Sequence, residues 1–348
     1  MGLGHSFSEK GVMQNFNDIK KLTEDRFPTT YSVAQILRVE TMHRVTDVYG
    51  PTVYSRYGDL SVSNPVFDSQ EQVYNLFFEE LDAAIIQLVS DKNNDQLANF
   101  DFAYSGNVSN WIRFANTLRL RLAMRIANVN PQKAKLEGEK SINHPEGLLI
   151  SNSQNFIVNG GATHPLTVFN SSWNDTRMNA SMESFLVGYN DPRGDILFQN
   201  SEVTPGKLKG IRSGMPLLNQ YSDEISQKED YTPFSKLGKM FDADENPTTS
   251  ITLMTAAEAY FLQAEAALRG WSGAGDAQSN YETGIQISFE QANAPNSNEY
   301  ILNDTSTPSD YIDPVNPNHN ITKQTSLTVA WDAGDDQETK LEKIITQK

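Results

Sequence analysis

The chain has 348 residues, enough for a large core in one domain or two, and its 38% hydrophobic and 10% aromatic content excludes disorder as a description of the whole. Its 28 Lys and Arg against 44 Asp and Glu leave a formal charge of −16, which repels a nucleic-acid backbone unless the basic residues cluster; they do so once, at Arg113, Arg119, Arg121 and Arg125. The absence of cysteine excludes disulfides, thiolate metal sites and cysteine nucleophiles.

In chain order, helical periodicity dominates. Residues 31–49 carry apolar side chains at helical spacing and stop at Gly50-Pro51. Residues 69–89 form the next helix, with Asp68 as N-cap, Glu71 completing a capping box, and a stripe of Val73, Leu76, Phe77, Leu81, Ala84, Ile85 and Leu88. Residues 108–128 follow with Trp111, Phe114, Ala115, Leu118, Leu122 and Ile126 on one face; Arg113, Arg121 and Arg125 lie off it, facing solvent or acids on a neighbouring helix. Pro131 opens a helix to 143. Residues 144–252 are rich in Gly, Pro, Asn and Ser, with short strands at 147–150 and 156–158 and a helical piece at 182–187. So long a stretch reads as a packed, irregular excursion that carries function. Helices return at 252–269 and 276–293 as a pair across a short turn, 296–313 reads as loop, and 335–348 is amphipathic. The packing style is that of degenerate tetratricopeptide units or of a plain helical bundle. No apolar run approaches the roughly 18–20 residues of a membrane span. Residues 1–6 lack the basic and apolar regions of a secretion signal, which fits a cytosolic start or one that has lost a leader.

Catalytic constellations are not found. No two of His5, His43, His144, His164 and His319 lie at i, i+4, Gly210–Gly214 has the wrong spacing for a nucleophile elbow, and Gly270–Gly275 lacks the lysine of a phosphate loop. Glu258 and Glu265 lie seven apart on one expected helix, the remaining route to a glycosidase, which needs two carboxylates. Asp242, Asp244 and Glu245 resemble a calcium loop in charge only, so no metal or cofactor is expected. What remains is aromatic and amide chemistry in loops, which suits sugars: rings stack on C–H faces while Asn, Asp and Arg hydrogen-bond hydroxyls. Trp173, Asn174, Asp175 and Arg177 bring these types together within one loop, and Tyr57 does so after the Gly50-Pro51 break. The alternative for Trp173 and Tyr57 is burial, as anchors pinning their loops. Trp111 and Trp271 are assigned to packing.

Three segments resemble one family. Asp47-Val48-Tyr49-Gly50-Pro51-Thr52-Val53-Tyr54-Ser55 is similar to its D-x-Y-G-D-V-P-Y-S turn, with Pro51 in the usual Asp place. Tyr104-Ser105-Gly106-Asn107 followed by the run from Trp111 to Ile126 resembles its Y-x-G-D and W-x-K-F-A-N-S-L-K-L-R-L-A-M-R-I, with Asn107 for Asp. The helix from Met254 to Trp271 resembles its A-E-x-Y-F-L-x-A-E-A, and Asn190-Asp191-Pro192-Arg193 its D-P-R turn. These segments, spread over about residues 30–348, resemble the SusD/RagB-like family of Bacteroidetes-type bacteria. The resemblance implies a mostly α fold of tetratricopeptide-like helix pairs with a loop-rich irregular excursion. It implies one domain over 1–348, with a helical first half to about 145, an excursion at about 146–250 and a helical return from about 251. It also implies a non-catalytic outer-membrane lipoprotein that captures oligosaccharides and passes them to a SusC-like TonB-dependent transporter, with peptide binding or a helical interaction scaffold as the alternative and a glycosidase as the second. The family's lipid-bearing cysteine and the aromatic, basic segment beyond the equivalent of Lys348 are not in this sequence, so the chain is expected to be trimmed at both ends.

Overall fold

The computed structural model describes residues 11–61, 63–94, 96–158, 161, 163–214, 231–246 and 248–348; residues 1–6, read above for a leader, lie outside the described residues. In chain order the helices are α1 (Val12–Thr23), α2 (Pro28–Tyr49), α3 (Gln70–Ser90), α4 (Val108–Arg125), α5 (Pro131–Ile142), α6 (Pro165–Thr167), α7 (Ala180–Gly188), α8 (Gly194–Leu197), α9 (Ala256–Leu268), α10 (Ala277–Ala292), α11 (Ser297–Ile301) and α12 (Gln337–Gln347). Two short strands, β1 (Phe156–Val158) and β2 (Ile251–Met254), pair with each other. The fold is mostly α, as the periodicity required. The chain divides into two compact units, Met1–Phe156 with Met254–Ala277, and Ile157–Leu253 with Gln278–Lys348. The expected helix pair α9 and α10 therefore falls in different units, apart from the first residue of α10.

Local chemistry sets the element ends. α2 starts on Pro28, whose missing N–H is no loss in a first turn, and stops at Gly50 with φ +74°. α3 starts one residue later than expected: Ser69 caps it, and Gln72 rather than Glu71 closes the capping box. Asp68 is engaged elsewhere. It is buried and accepts the Tyr54 N–H (3.1 Å), the Ser55 N–H (2.8 Å) and the Ser55 hydroxyl (2.7 Å), which closes the turn after α2. Asn107, Asn130, Thr255 and Asp336 cap α4, α5, α9 and α12. Residues 252–254 belong to β2, so α9 begins later than its periodicity indicated. Residues 147–150 are irregular rather than a strand, because helix side chains satisfy their backbone: Thr117 Oγ1 accepts the Leu149 N–H (3.0 Å) and Asn116 Nδ2 donates to Gly147 O (3.0 Å). Within 296–313, read as loop, lies α11.

α4 is the spine of the first unit, packed by α2, α3, α5 and α9. It is buried nearly all round instead of along one stripe, so Arg119 and Arg121 enter the core. Arg119 pairs with Asp82 and lies 3.8 Å from Glu137, Arg121 bonds Glu40 (3.2 Å) and Glu258 (2.7 Å), and Arg125 pairs with Asp47. Three of the four clustered arginines are thus answered by carboxylates, while Arg113 donates to Glu146 O (3.0 Å). Trp111 and Trp271 pack as expected. Trp111 donates to Asp101 (2.8 Å), and the Trp271 indole lies where a Cβ on Gly138 would stand.

In the second unit the D-P-R turn is structural. The buried Asp191 carboxylate accepts the Arg193 backbone N–H (2.9 Å) and its guanidinium (2.5 Å), which lies over the rings of Phe289 (4.6 Å) and Tyr300 (5.3 Å). Arg193 also donates to Ser288 (2.8 Å) and Gln347 (3.2 Å), tying α8 to α10 and α12. A guanidinium so deep needs both its carboxylate and its aromatic faces.

Candidate ligand-binding site

α6 runs directly into a π-helical turn, Val168–Ser172, inside the second unit. Its i, i+5 bond joins the Trp173 N–H to Val168 O (3.0 Å), the wide spacing that re-aims side chains at functional sites. The turn stands Trp173 beside Phe169, ring centroids 4.9 Å apart, with Trp173 63% and Phe169 36% exposed. Trp173 is therefore an exposed ring and not the buried anchor that was the alternative.

The platform is held from beneath. Asn170 is buried, donates to Phe241 O (3.1 Å) and accepts the Leu237 N–H (3.1 Å). Ser171 Oγ donates to Phe241 O (3.3 Å) and accepts the Ala243 N–H (2.9 Å). His164 caps α6 by accepting the Leu166 N–H (3.0 Å) and sets its ring 5.0 Å from that of Phe241. Asn174 turns the chain at φ +53°, a conformation asparagine tolerates, and the Asp175 N–H returns to Phe169 O (3.2 Å). Arg177 clamps the turn: its guanidinium donates to the carbonyls of Asn174 (3.2 Å), Thr176 (2.8 Å) and Tyr231 (3.1 Å) and to Asn174 Oδ1 (3.1 Å). Burial pulls it below the ordinary arginine value.

Trp173, Asn174, Asp175 and Arg177 are thus brought together in one pinned loop. Arg177 positions this loop, while Asn174 and Asp175 are exposed beside the ring. Tyr57 belongs to the other unit, half-buried, with its carbonyl accepting from Asn17 (3.2 Å). Phe169 was missed. Its signal was the i, i+4 spacing to Trp173, which counts only once the turn is known to be helical. Also missed was the segment 237–243 that carries the loop, for which no local signal exists.

The carboxylates weighed for catalysis are engaged otherwise. Glu258 pairs with Arg121, and Glu265 with Arg269 (2.8 Å). Lys239 pairs with Glu245 (3.1 Å), and no group of metal-ligating side chains occurs among the described residues. Two cavities lie apart from the platform. One, of about 590 Å³, is in the first unit beside Asp47, Tyr74, Arg125 and Lys133. The other, of about 480 Å³, is in the second unit, with Met182, Phe185, Leu186, Ile196 and Leu197 on its walls.

Solved structures resemble this chain along nearly its full length. A chitin-binding SusD homologue from Flavobacterium johnsoniae is 40% identical with a TM-score of 0.91, over 98% of this chain and 69% of that one. A SusD homologue from Bacteroides vulgatus is 33% identical (TM-score 0.88; 98% and 68% covered), and one from Bacteroides uniformis 37% identical (TM-score 0.84; 97% and 68%). No curated protein sequence matches the chain. Residues 4–348 match the SusD-like family model, described as SusD and RagB outer membrane lipoprotein, and the chain belongs to that family of outer-membrane lipoproteins.

Proposed function

We propose that this protein captures oligosaccharides on the Phe169–Trp173 platform without chemical change and passes them to a SusC-like TonB-dependent transporter. The observation that carries the reading is the exposed Trp173 ring on a loop whose every turn is pinned. An exposed indole ordered before ligand arrives loses little entropy on binding and offers a face for sugar C–H groups. Asn174 and Asp175 beside it supply acceptors and donors for hydroxyls; Arg177 holds the first in place and the bond to Phe169 O the second. A chitin-binding protein at 40% identity makes chitin-type oligosaccharides the first ligands to test. Tyr57 is kept as a second contact, to be tested separately, and the chain is read as one SusD-like domain.

The test is calorimetric titration of the protein with oligosaccharides and short peptides, repeated with Trp173→Ala. Binding that falls at least about tenfold in the variant is expected. Sugar binding untouched by the substitution moves the site elsewhere, and turnover of any oligosaccharide defeats the non-catalytic reading. The apolar cavity at Phe185 and Ile196 favours one second reading, a peptide side chain seated there. Peptide binding without sugar binding would select it.

A further inference from the structure

We propose that the Phe169–Trp173 platform selects by charge, taking glycans that carry protonated amines (amino sugars) over acidic glycans. This rests on the glycan-binding reading above and adds the chemical class of the ligand.

Two independent features point to a cation. The first is the ring pair itself. An exposed indole face carries the negative lobe of its quadrupole, and a cation placed over it is attracted whatever its source. The second is the rim. Asp175 is two residues from Trp173, so their Cα atoms are within about 8 Å, and its N–H is bonded into the platform at Phe169 O (3.2 Å). On another side, the bond from Ala243 N–H to Ser171 Oγ (2.9 Å) holds Asp242 and Asp244 one residue away from the same turn. Among the described residues none of these three carboxylates forms an ion pair.

The cations of this frame are engaged. The Arg177 guanidinium is turned onto carbonyls and Asn174 Oδ1, and Lys239 is paired with Glu245 (3.1 Å). A ligand lying on the platform therefore meets an aromatic face in a frame where Asp175, Asp242, Asp244 and Glu245 outnumber Arg177 and Lys239 by two charges. At low ionic strength the Debye length reaches about 30 Å, so the field of these charges is not screened out there. A uronate or sulfated chain would be repelled there, a neutral chain admitted by stacking alone, and an amino sugar drawn in by both features.

The experiment uses three hexasaccharides, of glucosamine, N-acetylglucosamine and galacturonic acid, titrated calorimetrically at about pH 6, where carboxylates are ionised and sugar amines are protonated. Each titration is run at about 20 and about 300 mM salt, with the wild-type chain and with the combined Asp242→Asn, Asp244→Asn variant. The expected result is roughly tenfold or tighter binding of the glucosamine chain over the galacturonate chain at low salt, collapsing toward equality at high salt and in the variant. The N-acetylglucosamine chain should bind both proteins within about twofold, which also shows that the variant is folded and its platform intact. Neutral binding with no charge preference, or a preference that survives the double substitution, overturns the charge selection and leaves the glycan reading standing. Failure of all three chains to bind overturns both. A tetralysine peptide binding more tightly than the glucosamine chain overturns the glycan class in favour of a basic peptide.

Discussion

At Trp173 the proposed function and the stability of the fold separate. Its ring is mostly in solvent, so its removal takes little from the folded state. Trp173→Ala should change the unfolding free energy by no more than about 0.5 kcal/mol, while abolishing most ligand affinity; paired denaturant melts and titrations check both halves. Asp68 is the opposite case. Buried, it satisfies two backbone N–H groups and a hydroxyl in the turn after α2, and no neighbour can replace it. Asp68→Ala should therefore cost about 2–4 kcal/mol in urea unfolding, and an unchanged midpoint would sink that account of the turn. The platform itself was half legible at this scale. Its residue types stood together in sequence, so Trp173, Asn174, Asp175 and Arg177 were chosen by composition. Asp242 and Asp244 were read as an ordinary solvated loop, because only the Ser171 contact links them to the turn.

Among the elements, α4 carries the sharpest energetics. Arg121 bridges Glu40 on α2 and Glu258 on α9, so Arg121→Met removes this link while Arg44 and His43 still face Glu40, and should destabilise by about 1–3 kcal/mol. The same network sets the acid response. Burial alone would raise Glu40, but His43, Arg121 and Arg44 together hold it below the ordinary glutamate value, and Asp47, likewise pushed up by burial, is held low by His43, Tyr74 and Arg125. A folded value below the unfolded one gives stability that is present above about 4.5 for glutamate and is lost as pH falls through the folded value. Glu80 acts in the opposite sense: burial raises it despite Arg38, so its contribution is present at low pH and lost as pH rises. With Asp59, Asp91, Glu146, Asp313 and Asp336 lowered as well as Glu40 and Asp47, against Glu80 raised, stability should fall below about pH 4.5, and the fall should be shallower in Arg121→Met. Thermal melts across an acid series read both. α5 offers a packing test. Gly138→Ala would gain about 1 kcal/mol of helix propensity but drive a methyl into the Trp271 indole, so a net loss of about 1–2 kcal/mol is expected. The smaller side chain of Trp271→Leu should relieve that clash in the double variant. Element identities were largely legible because capping and periodicity are local. The failures were at edges: Ser69 in place of Asp68, β2 ahead of α9, and irregular backbone at 147–150 satisfied by side chains of α4.

For the whole molecule, the two compact units and the proposal of one SusD-like domain make a joint prediction. Each unit is discontinuous in sequence, since the first recruits Met254–Ala277 after an excursion of about a hundred residues. Neither is a contiguous stretch that folds as the chain emerges, so a single cooperative transition in scanning calorimetry is expected. Two resolved transitions would divide the chain into two domains.

The sequence by itself determined the mostly helical class, the family, the absence of cysteine chemistry and the loop that forms the platform, because all of these are written in neighbouring residues or in composition. Only the tertiary structure decided what is inside and what is outside. Arg121 lies in the core because Glu40 and Glu258, 81 and 137 positions away, converge on it. Trp173 lies outside because Asn170 and Ser171 reach Phe241, about 70 positions on, and hold the turn from below. Burial at Arg121 and exposure at Trp173 follow from such distant meetings, which the residue types around either position do not encode.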